Sequence, residues 1–366
     1  MSHKAYLCGY YGMQNSGDDA LLASTVWGAQ KFYRYSDFVV STPQPLHIDG
    51  AGSFSATLKA QQRFRGQNRL LQYGKSVGCN RVFFGGGSVL HNEHDIGIKR
   101  DLIKLSARRK AIGVGIGIGP FKNNKAEIAC AKLLNECAFV GVRDWHSYDI
   151  ASTIAPSANV KLTFDLAPLL KMSKKIQPAQ RAREGIAISL CPKERLSGLN
   201  EERETQRLKS LAAALSKVYR QTGKRFTFLD FNGHETLGDK AIHKELIALL
   251  PKNAVAEHIS YNPNPHNVLA NLGRFELVLG MRLHAAILAF LAESPVFSLN
   301  YHSKCNGWCE QVGIPKAYQF DAENIDPECL SETMLHALDQ GFETPELTVP
   351  QAVSMAMSNW SNVNES

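Results

Sequence analysis

Short apolar runs alternate with longer amphipathic segments along the chain, and this alternation predicts its secondary structure. Five runs in the first half have the length and composition of buried strands: Ala5–Cys8, Phe38–Ser41, Arg81–Phe84, Ala111–Ile118 and Ala138–Arg143. Between them lie helical patterns such as Asp19–Tyr33, in which apolar residues recur every three or four positions. Strands that alternate with helices predict a parallel sheet covered by helices.

The second half of the chain repeats this pattern. Its predicted strands are Gly185–Leu190, Arg225–Phe231, Ala254–Ile259, Glu276–Leu279 and Pro295–Asn300, and helical patterns lie near 202–220, 239–250, 266–272, 282–293 and 305–312. Two such series predict an α/β protein of two doubly wound, Rossmann-like domains. Ligands of such sheets bind beyond the carboxyl ends of the strands, so we expect the domains to face a cleft that holds the active site.

A polar, proline-containing stretch over residues 171–184 separates the two series. We therefore predict an N-terminal domain over residues 1–175 and a C-terminal domain over residues 183–345. The tail, residues 346–366, has a weak helical pattern, and we expect it to pack back on one of the domains.

The composition is that of a soluble globular protein, since 44% of the 366 residues are hydrophobic and 20% are charged. No apolar run reaches the ~18 residues that a membrane span needs. Lys4 leads directly into a strand-like run, so we do not expect a signal peptide. Eight cysteines without a Cys-x-x-Cys pair predict reduced, buried thiols, a cytoplasmic location and no bound metal.

The net charge of +7 is unevenly distributed. Residues 1–180 contain 23 Lys and Arg against 12 Asp and Glu, whereas residues 181–366 contain 18 against 22. A basic half indicates an anionic partner. Nucleic acid is not expected, because aromatic residues do not alternate with the charges as a stacking surface requires.

The first motif with candidate chemistry is the loop after the first strand, which contains Asn15, Gly17 and Asp18. Asn15 or Ser16 can cap the helix that follows, and Asp18 and Asp19 complement its dipole. The loop amides can instead bind an anion or sugar oxygens. The spacing differs from the dinucleotide fingerprint G-x-G-x-x-G, which argues against NAD-dependent chemistry.

The second motif is a run of three glycines, Gly85–Gly87, which follows an apolar strand and precedes Ser88. Consecutive glycines are costly in backbone entropy, so we expect another group to approach the backbone closely there. Either a ligand at Gly86, Gly87 and Ser88 or a tightly packed helix explains them. Glycines that alternate with Val and Ile in Gly113–Pro120 suit a cleft floor or close sheet packing in the same way.

Two further charged positions lie near the end of the first series. Arg143 ends a predicted strand, and Asp144 opens the next helix. Arg143 can orient an anionic substrate or form a structural ion pair with Asp144. Asp165 is an isolated acid in an apolar run, so we expect it to have a specific partner.

The most informative motif lies in the second series, where a buried strand ends and a strongly apolar helix begins at once. Arg282 and His284 fall in its first turn, where free amides favour anions. Arg282 can therefore bind a phosphate, or it can pair with a carboxylate such as Glu293 or Asp230. Lys304 follows the next strand, so we expect Arg282, His284 and Lys304 to converge on one anion.

Taken in order, these motifs resemble those of the polysaccharide pyruvyl transferase family. They are Asn15-Ser16-Gly17-Asp18-Asp19, Gly85–Ser88, Gly115–Pro120, Val142-Arg143-Asp144 with Ser147, Gly280–His284, and Tyr301 with Lys304. The resemblance implies a fold similar to the two-Rossmann (GT-B) glycosyltransferase architecture. It also implies phosphoenolpyruvate as co-substrate without a separate cofactor. A sugar of a surface polysaccharide or exopolysaccharide would receive the enolpyruvyl group as a cyclic pyruvate ketal, with release of phosphate.

The resemblance implies a role for each candidate residue. Arg282, His284 and Lys304 would bind the donor, and Arg143 would reach across the cleft to it. The catalytic candidates are His284, for phosphate contact or proton transfer, and Asp18, as a base for a sugar hydroxyl. The acceptor-binding candidates are Asn15, Gly17, Asp18, Gly86, Gly87, Ser88 and Asp165.

The expected acceptor is a sugar or a lipid-linked oligosaccharide. We expect the basic half to make peripheral contact with the anionic inner face of the membrane. Assembly into a homo-oligomer stays open. Two other functions stay open as well: a nucleotide-sugar-dependent glycosyltransferase of the same fold, and a catalytically silent subunit of glycan assembly.

Overall fold

The computed structural model describes residues 4–44, 46, 48, 52–173, 182–198 and 201–361. They fall into two compact units. The first unit comprises the described residues of Met1–Met13, Asp18–Lys174 and Pro350–Ser366, and the second unit those of Gln14–Gly17 and Lys175–Val349. Most of the predicted boundary stretch, residues 174–181, lies outside the described residues.

A parallel sheet forms the centre of the first unit. Its strands are β1 (Lys4–Cys8), β2 (Asp37–Val40), β3 (Phe54–Ala56), β4 (Arg81–Leu90), β5 (Ala111–Ile118), β6 (Cys137–Val142) and β7 (Val160–Leu162). They lie in the order β3-β2-β1-β4-β5-β6-β7, and each adjacent pair is parallel. All eight residues of β5 are buried, which is why this strand is a continuous apolar and glycine run.

Helices connect these strands. They are α1 (Ser16–Tyr33), α2 (Gln67–Val77), α3 (Glu93–Leu105), α4 (Asn124–Glu136), α5 (Trp145–Ile154) and α6 (Leu170–Ser173), and a short 3-10 turn (Ala167–Leu169) precedes the last. Side chains in the preceding loops cap several helix starts. Asp144, for example, accepts the N–H of Ser147 at 2.8 Å, so it opens α5 as the sequence predicts.

The second unit has a parallel sheet of its own. Its strands are β8 (Ile186–Ser189), β9 (Phe226–Leu229), β10 (Val255–Ile259), β11 (Leu277–Gly280), β12 (Val296–Asn300) and β13 (Gln319–Asp321), in the order β10-β9-β8-β11-β12-β13. Its helices are α7 (Lys193–Ser197), α8 (Glu201–Thr222), α9 (Lys240–Leu249), α10 (Pro265–Leu272), α11 (Leu283–Leu291), α12 (Ser303–Val312) and α13 (Pro327–Gln340), and a 3-10 turn (Lys316–Tyr318) precedes β13.

Both sheets are doubly wound, which confirms the predicted fold class. The strand order reverses between β1 and β4 in the first sheet and between β8 and β11 in the second. Ligands of such sheets bind at this reversal, beyond the carboxyl ends of the strands. The glycine triplet lies within β4, and the Arg282 motif follows β11.

The strand β4 is longer than the sequence predicts. It continues from Phe84 through the three glycines to Leu90, although Gly86 and Gly87 have φ values of +72° and +73°. Pairing with β5 resumes at Gly87, which lies opposite Ile116. The backbone there has a conformation that favours glycine, and the predicted end of the strand at Phe84 was wrong.

The helix α14 (Val349–Ser361) completes the first unit at the end of the described chain. Asn359 is fully buried, and its Oδ1 accepts the Gly115 N–H and the Thr163 hydroxyl, each at 2.7 Å. Trp360 packs on α1, where a Cβ at Gly28 would lie 2.1 Å from its ring. The C-terminal segment is therefore part of the core of the first unit.

All eight cysteines are free thiols, and seven of them are buried as the sequence predicts, whereas Cys329 is exposed. Within the described ranges, no helix is long and apolar enough to cross a membrane.

Candidate active site

The carboxyl ends of β8 and β11 meet where the strand order of the second sheet reverses. Met281 follows β11, and its N–H donates to the carbonyl of Ser189 at 2.7 Å. Arg282 is the N-cap of α11, with an extended backbone, and His284 lies in the first turn. Every residue in 285–291 is buried, so apolar packing fixes the start of this helix.

Arg282 forms an ion pair with Asp239. Its Nε and Nη2 lie 3.1 and 2.5 Å from Oδ1 of Asp239, whose side chain is fully buried. Burial disfavours the guanidinium charge, but the carboxylate of Asp239 outweighs this effect and holds the pKa of Arg282 above its usual value. Arg282 thus has a carboxylate partner, as one alternative predicted, but the partner is Asp239 rather than Glu293 or Asp230.

The second carboxylate oxygen of Asp239 holds the loop that follows β9. Its Oδ2 accepts the N–H groups of Phe231 and Asn232 at 2.9 and 2.8 Å. Asp239 therefore uses one oxygen for Arg282 and the other for this loop. A carboxylate that is fixed on both oxygens also fixes the guanidinium that it binds.

Residues 14–17 belong to the second unit although they lie near the start of the chain. Ser16 donates its N–H to the carbonyl of Phe231 at 2.9 Å, and Asn15 Oδ1 accepts the N–H of Gly17 at 2.9 Å. Asn15 is thus the predicted cap of α1. Gly17 contacts His284 so closely that a Cβ would lie 2.3 Å from Nδ1 and 2.4 Å from Cγ. The position of His284 therefore requires glycine at 17.

Two neutral side chains act electrostatically on Arg282: the half-buried Tyr301 and the buried Cys191. Burial raises the pKa of Cys191 to about 11 and also raises that of Tyr301. Both groups are therefore uncharged near pH 7, and Asp239 is the carboxylate that pairs with Arg282.

Lys304 lies in the first turn of α12, which begins beyond β12, the strand that pairs with β11. His302 caps this helix by accepting the N–H of Lys304 at 3.2 Å. The helices α11 and α12 thus begin at neighbouring strand ends, as expected. Convergence of Lys304 with Arg282 and His284 on one anion stays a prediction.

A buried carboxylate with two histidines lies at the end of β9. Asp230 Oδ1 is 2.7 Å from His243 Nδ1 and 2.7 Å from His258 Nε2. Burial by itself would raise the pKa of Asp230, but the hydrogen bonds from His243 and His258 outweigh it and lower that pKa to about 2. Asp230 is therefore an anion across the physiological range.

These three side chains are the one group in the described part of the chain with the composition and spacing of a metal site. The N–H of Leu190 donates to Nε2 of His243 at 2.8 Å, so the imidazole proton lies on Nδ1 and points to Asp230. That nitrogen has no lone pair for a cation. The group is a hydrogen-bonded triad that fixes the loop after β8, and it does not fit a metal.

In the first unit, two of the three glycines of β4 lie against α1. A Cβ at Gly85 would lie 2.2 Å from Thr25 Oγ1 and 2.3 Å from the Tyr11 hydroxyl oxygen. A Cβ at Gly86 would lie 2.9 Å from a methyl group of Leu21. Close helix packing, one of the two explanations that the sequence left open, therefore accounts for both. The acceptor contact of Gly86 stays a prediction.

Three half-buried residues lie near the point where the strand order of the first sheet reverses, between β1 and β4: Gly87, Ser88 and Asp18. A Cβ at Gly87 would be 3.8 Å from Asp18 Oδ1, which is ordinary contact distance. All three are partly exposed, in contrast to the fully covered glycines before them. The structure thus brings Gly87 and Asp18 together, and the acceptor contacts of Gly87, Ser88 and Asp18 stay predictions.

Arg143 and Asp165 form a buried pair in the first unit. Arg143 Nη1 lies 3.1 Å from Asp165 Oδ2, and Nη2 lies 3.5 Å from the Ser88 hydroxyl oxygen. Nε of Arg143 is 3.6 Å from Asp144 Oδ2. Asp165 therefore has the specific partner that the sequence predicts, and two carboxylates balance the charge of Arg143. The donor contact of Arg143 and the acceptor contact of Asp165 stay predictions.

Asp239, His243 and His258 are not among the residues that the sequence predicts for the site. Asp239 directly precedes α9, where an acid is ordinarily explained as a cap, and its partner Arg282 is 43 residues away. His243 and His258 follow no recognised spacing. The sequence offered one signal for Asp239: a buried Arg282 requires a carboxylate partner.

The sequence of the chain matches one protein family. The model of the polysaccharide pyruvyl transferase family matches residues 15–303. Comparison with curated protein sequences gives no match.

Several solved structures are similar in fold. One is UDP-GlcNAc 2-epimerase of Methanocaldococcus jannaschii in complex with UDP-GlcNAc and UDP, with 13% identity, a TM-score of 0.59, and 97% of this chain and 98% of that chain covered. Another is UDP-GlcNAc 2-epimerase of Neisseria meningitidis bound to UDP-GlcNAc. It has 9% identity and a TM-score of 0.59, and 97% of this chain and 98% of that chain are covered. A third is Anabaena Alr3699/HepE in complex with UDP and glucose. It has 12% identity and a TM-score of 0.54, and 99% of this chain and 94% of that chain are covered.

At these identities the solved structures show the fold alone, which is GT-B-like with two Rossmann-like domains, as predicted. The family model covers most of the chain and includes the loop at Asn15, the glycine triplet and the Arg282 motif. The chain therefore belongs to the polysaccharide pyruvyl transferase family.

Proposed function

We propose that this protein transfers the enolpyruvyl group of phosphoenolpyruvate to two hydroxyls of one sugar, which yields a cyclic pyruvate ketal and phosphate. Family membership supports a transferase of polysaccharide biosynthesis. The observation that carries the proposal is the placement of Arg282 and His284 at the start of α11, at the strand reversal of the second sheet. The acceptor sugar belongs to a surface polysaccharide or exopolysaccharide, or to its lipid-linked precursor.

The donor carries a phosphate and a carboxylate, so its site needs several cationic or N–H groups. Asp239 engages Nε and Nη2 of Arg282, and we assign the Nη1 amino group to the donor. Lys304 and the amide groups at the starts of α11 and α12 supply further positive potential. Asp239 orients Arg282 without removing its charge, because the pKa of the guanidinium stays high.

The reaction is an addition and then a substitution at C2 of phosphoenolpyruvate. A proton is added to the methylene carbon, and the first hydroxyl attacks C2 and loses its proton. The bond between C2 and the phosphate oxygen then breaks, and the second hydroxyl attacks C2, loses its proton and closes the ring. The new methyl group and the hydrogen phosphate together hold the two protons that the hydroxyls lose.

We assign His284 to phosphate contact or to proton transfer, since an imidazole serves both roles near neutral pH. Asp18 is the base for a sugar hydroxyl. It lies beside Gly87 in the first unit, and in the chain it directly follows Gly17, the residue that contacts His284. Gly87 and Ser88 supply the adjacent acceptor contacts.

A nucleotide-sugar-dependent glycosyltransferase is the second candidate function, because the structures similar in fold were solved with UDP or UDP-GlcNAc. Thermal shift separates the two candidates, since a ligand stabilises the protein that binds it. We expect phosphoenolpyruvate to raise the Tm at concentrations where UDP-GlcNAc and UDP-glucose do not. The reverse result would favour the glycosyltransferase.

The direct test is mass spectrometry of candidate glycans incubated with the protein and phosphoenolpyruvate. We expect a product whose mass corresponds to a pyruvate ketal, together with one phosphate released per ketal. His284→Ala should abolish both, while His336→Ala, an exposed histidine of α13 in the same unit, should retain them. An active His284→Ala variant would remove His284 from the mechanism. Binding of acceptor without phosphate release would favour the silent subunit.

A further inference from the structure

The helix α2 and the turn before it have three exposed, large apolar side chains. Phe64, Leu70 and Val77 are 54%, 59% and 61% exposed. Leu70 and Val77 are seven residues apart and so lie on one stripe of the helix. Ser76 is the one fully buried residue of α2, and its hydroxyl donates to the Leu102 carbonyl in α3 at 2.7 Å. The apolar stripe is therefore on the face turned away from the body of the unit.

The same segment is strongly basic. Residues 50–92 contain six Lys and Arg and no Asp or Glu. Four of the six accompany the apolar side chains and are exposed: Arg63, Arg65, Arg69 and Lys75. No carboxylate of the segment itself can neutralise them, so this face has a local positive potential.

Two basic residues of α3 form ion pairs with carboxylates. Lys99 pairs with Asp95, and Arg100 pairs with Glu136 through Nε at 3.0 Å. Lys104 is in the last turn of α3, and Arg108 lies beyond the end of this helix at Leu105. Arg69 lines a cavity together with Glu93 and Asp101 of α3. Arg63, Arg65 and Lys75 are exposed and have no carboxylate within their own segment.

Apolar side chains interleaved with cations fit an anionic bilayer better than a protein partner. The apolar groups enter the boundary between headgroups and acyl chains, and the cations attract anionic headgroups. The core of a protein interface, in contrast, is depleted in charge, and here four cations lie within 14 residues of the chain.

We propose that the segment 63–77 docks this protein on a bilayer that contains anionic lipids, with Phe64, Leu70 and Val77 inserted and the four cations at the headgroups. This docking surface, residues 63–77, does not depend on the reaction catalysed. It would hold the enzyme where a lipid-linked acceptor is found. Its test therefore fails or succeeds independently of pyruvyl transfer.

The test is cosedimentation of the full chain with vesicles of phosphatidylcholine alone or with about one third phosphatidylglycerol. We expect binding to the anionic vesicles that falls at least tenfold when the salt is raised from about 0.1 M to about 0.5 M, since salt screens the attraction. Binding to both vesicle types alike, or to neither, would overturn the proposal.

Two sets of variants identify the surface. The triple change Arg63→Gln, Arg65→Gln and Arg69→Gln should weaken binding at least tenfold. The matched change of three exposed lysines in the second unit, Lys240→Gln, Lys244→Gln and Lys252→Gln, should not. If both triple variants lose vesicle binding equally, the net charge of the protein alone determines binding, and the assignment to this surface is overturned.

The apolar part is tested in the same way. Leu70→Ser with Val77→Ser should weaken binding to anionic vesicles, whereas Leu249→Ser, a 50% exposed leucine of α9, should not. Sedimentation velocity without lipid supplies the remaining control. A change of oligomeric state in the Leu70→Ser, Val77→Ser variant would identify the face as a contact between copies of this chain, and would overturn membrane docking.

Discussion

Gly17 and His284 are in contact across 267 residues of sequence, and a Cβ at position 17 would lie 2.3 Å from Nδ1 and 2.7 Å from Cβ of the histidine. Real Cβ atoms do not approach other atoms so closely, so either the imidazole or the helix start would have to move. Gly17 lies in the first turn of α1, where alanine is otherwise favoured over glycine by about 0.5–1 kcal/mol. Helix propensity and the contact with His284 therefore predict opposite effects of one methyl group.

We expect Gly17→Ala to lower ketal formation about 100-fold, because a catalytic group displaced by about 1 Å loses roughly that factor. The measurement is phosphate release from phosphoenolpyruvate in the presence of acceptor. Gly307→Ala in α12 is the matched control, since a Cβ there meets nothing within 4 Å. It should leave activity unchanged and raise the free energy of unfolding slightly. Wild-type activity in Gly17→Ala would show that the contact does not position His284.

Asp239→Asn should destabilise the second unit by about 3–5 kcal/mol. The change removes the charge that compensates a largely buried Arg282, and it places an amide where two N–H groups and a guanidinium now donate. Urea denaturation measures the loss, and faster amide exchange at Phe231 and Asn232 locates it. Glu310→Gln, which breaks an exposed contact to Lys316 at 3.8 Å, should cost less than about 0.5 kcal/mol. Similar losses in both variants would contradict a special role for Asp239.

The triad of Asp230, His243 and His258 predicts a loss of stability in acid. The pKa of Asp230 is near 2 in the folded protein and near 3.8 in the unfolded chain, so folding favours the ionised form. This contribution, about 2 kcal/mol, is fully present above about pH 5 and is lost as the pH falls towards 2. Asp230→Asn should be less stable than the wild type at pH 7 and should lose less stability between pH 5 and pH 2. The measurement is the free energy of unfolding of both proteins between pH 7 and pH 2. If the two values fall in parallel, Asp230 is not the source of the acid sensitivity.

The fold was largely predictable because parallel strands are buried on both faces. Runs such as Ala111–Ile118 and Leu277–Gly280 are continuous in apolar residues and glycine, and helical spacing separates them. The strands β3, β7 and β13 were missed because each has only three residues, too few to establish a pattern. The extension of β4 through its glycines was missed because a positive φ ordinarily ends a strand.

The candidate site was only partly predictable. Arg282, His284 and Lys304 lie within four residues of the ends of buried strands, so the pattern of apolar and polar positions is enough to identify them as candidates. The environment of Arg282 depends on Asp239, and that of His284 depends on Gly17, and in each case the partner is far away in the chain. Such pairs are fixed by the strand order of the sheet, which propensity and spacing do not contain.

The buried side chain of Asn359 links three segments of the first unit. Besides accepting from Gly115 and Thr163, it donates through Nδ2 to the carbonyl of Phe164 at 2.9 Å. Asn359→Leu removes these partners while keeping the volume similar, so buried groups on two neighbouring segments lose their hydrogen bonds.

We expect Asn359→Leu to lower the free energy of unfolding by about 3 kcal/mol or more. Faster amide exchange at Gly115 would locate the loss in the first unit. Ser354→Ala, an exposed change on the same helix, should have almost no effect. Unchanged exchange at Gly115 would mean that α14 is held by Trp360 and its apolar neighbours alone, because the asparagine would then contribute no net stability to the helix that closes the first unit.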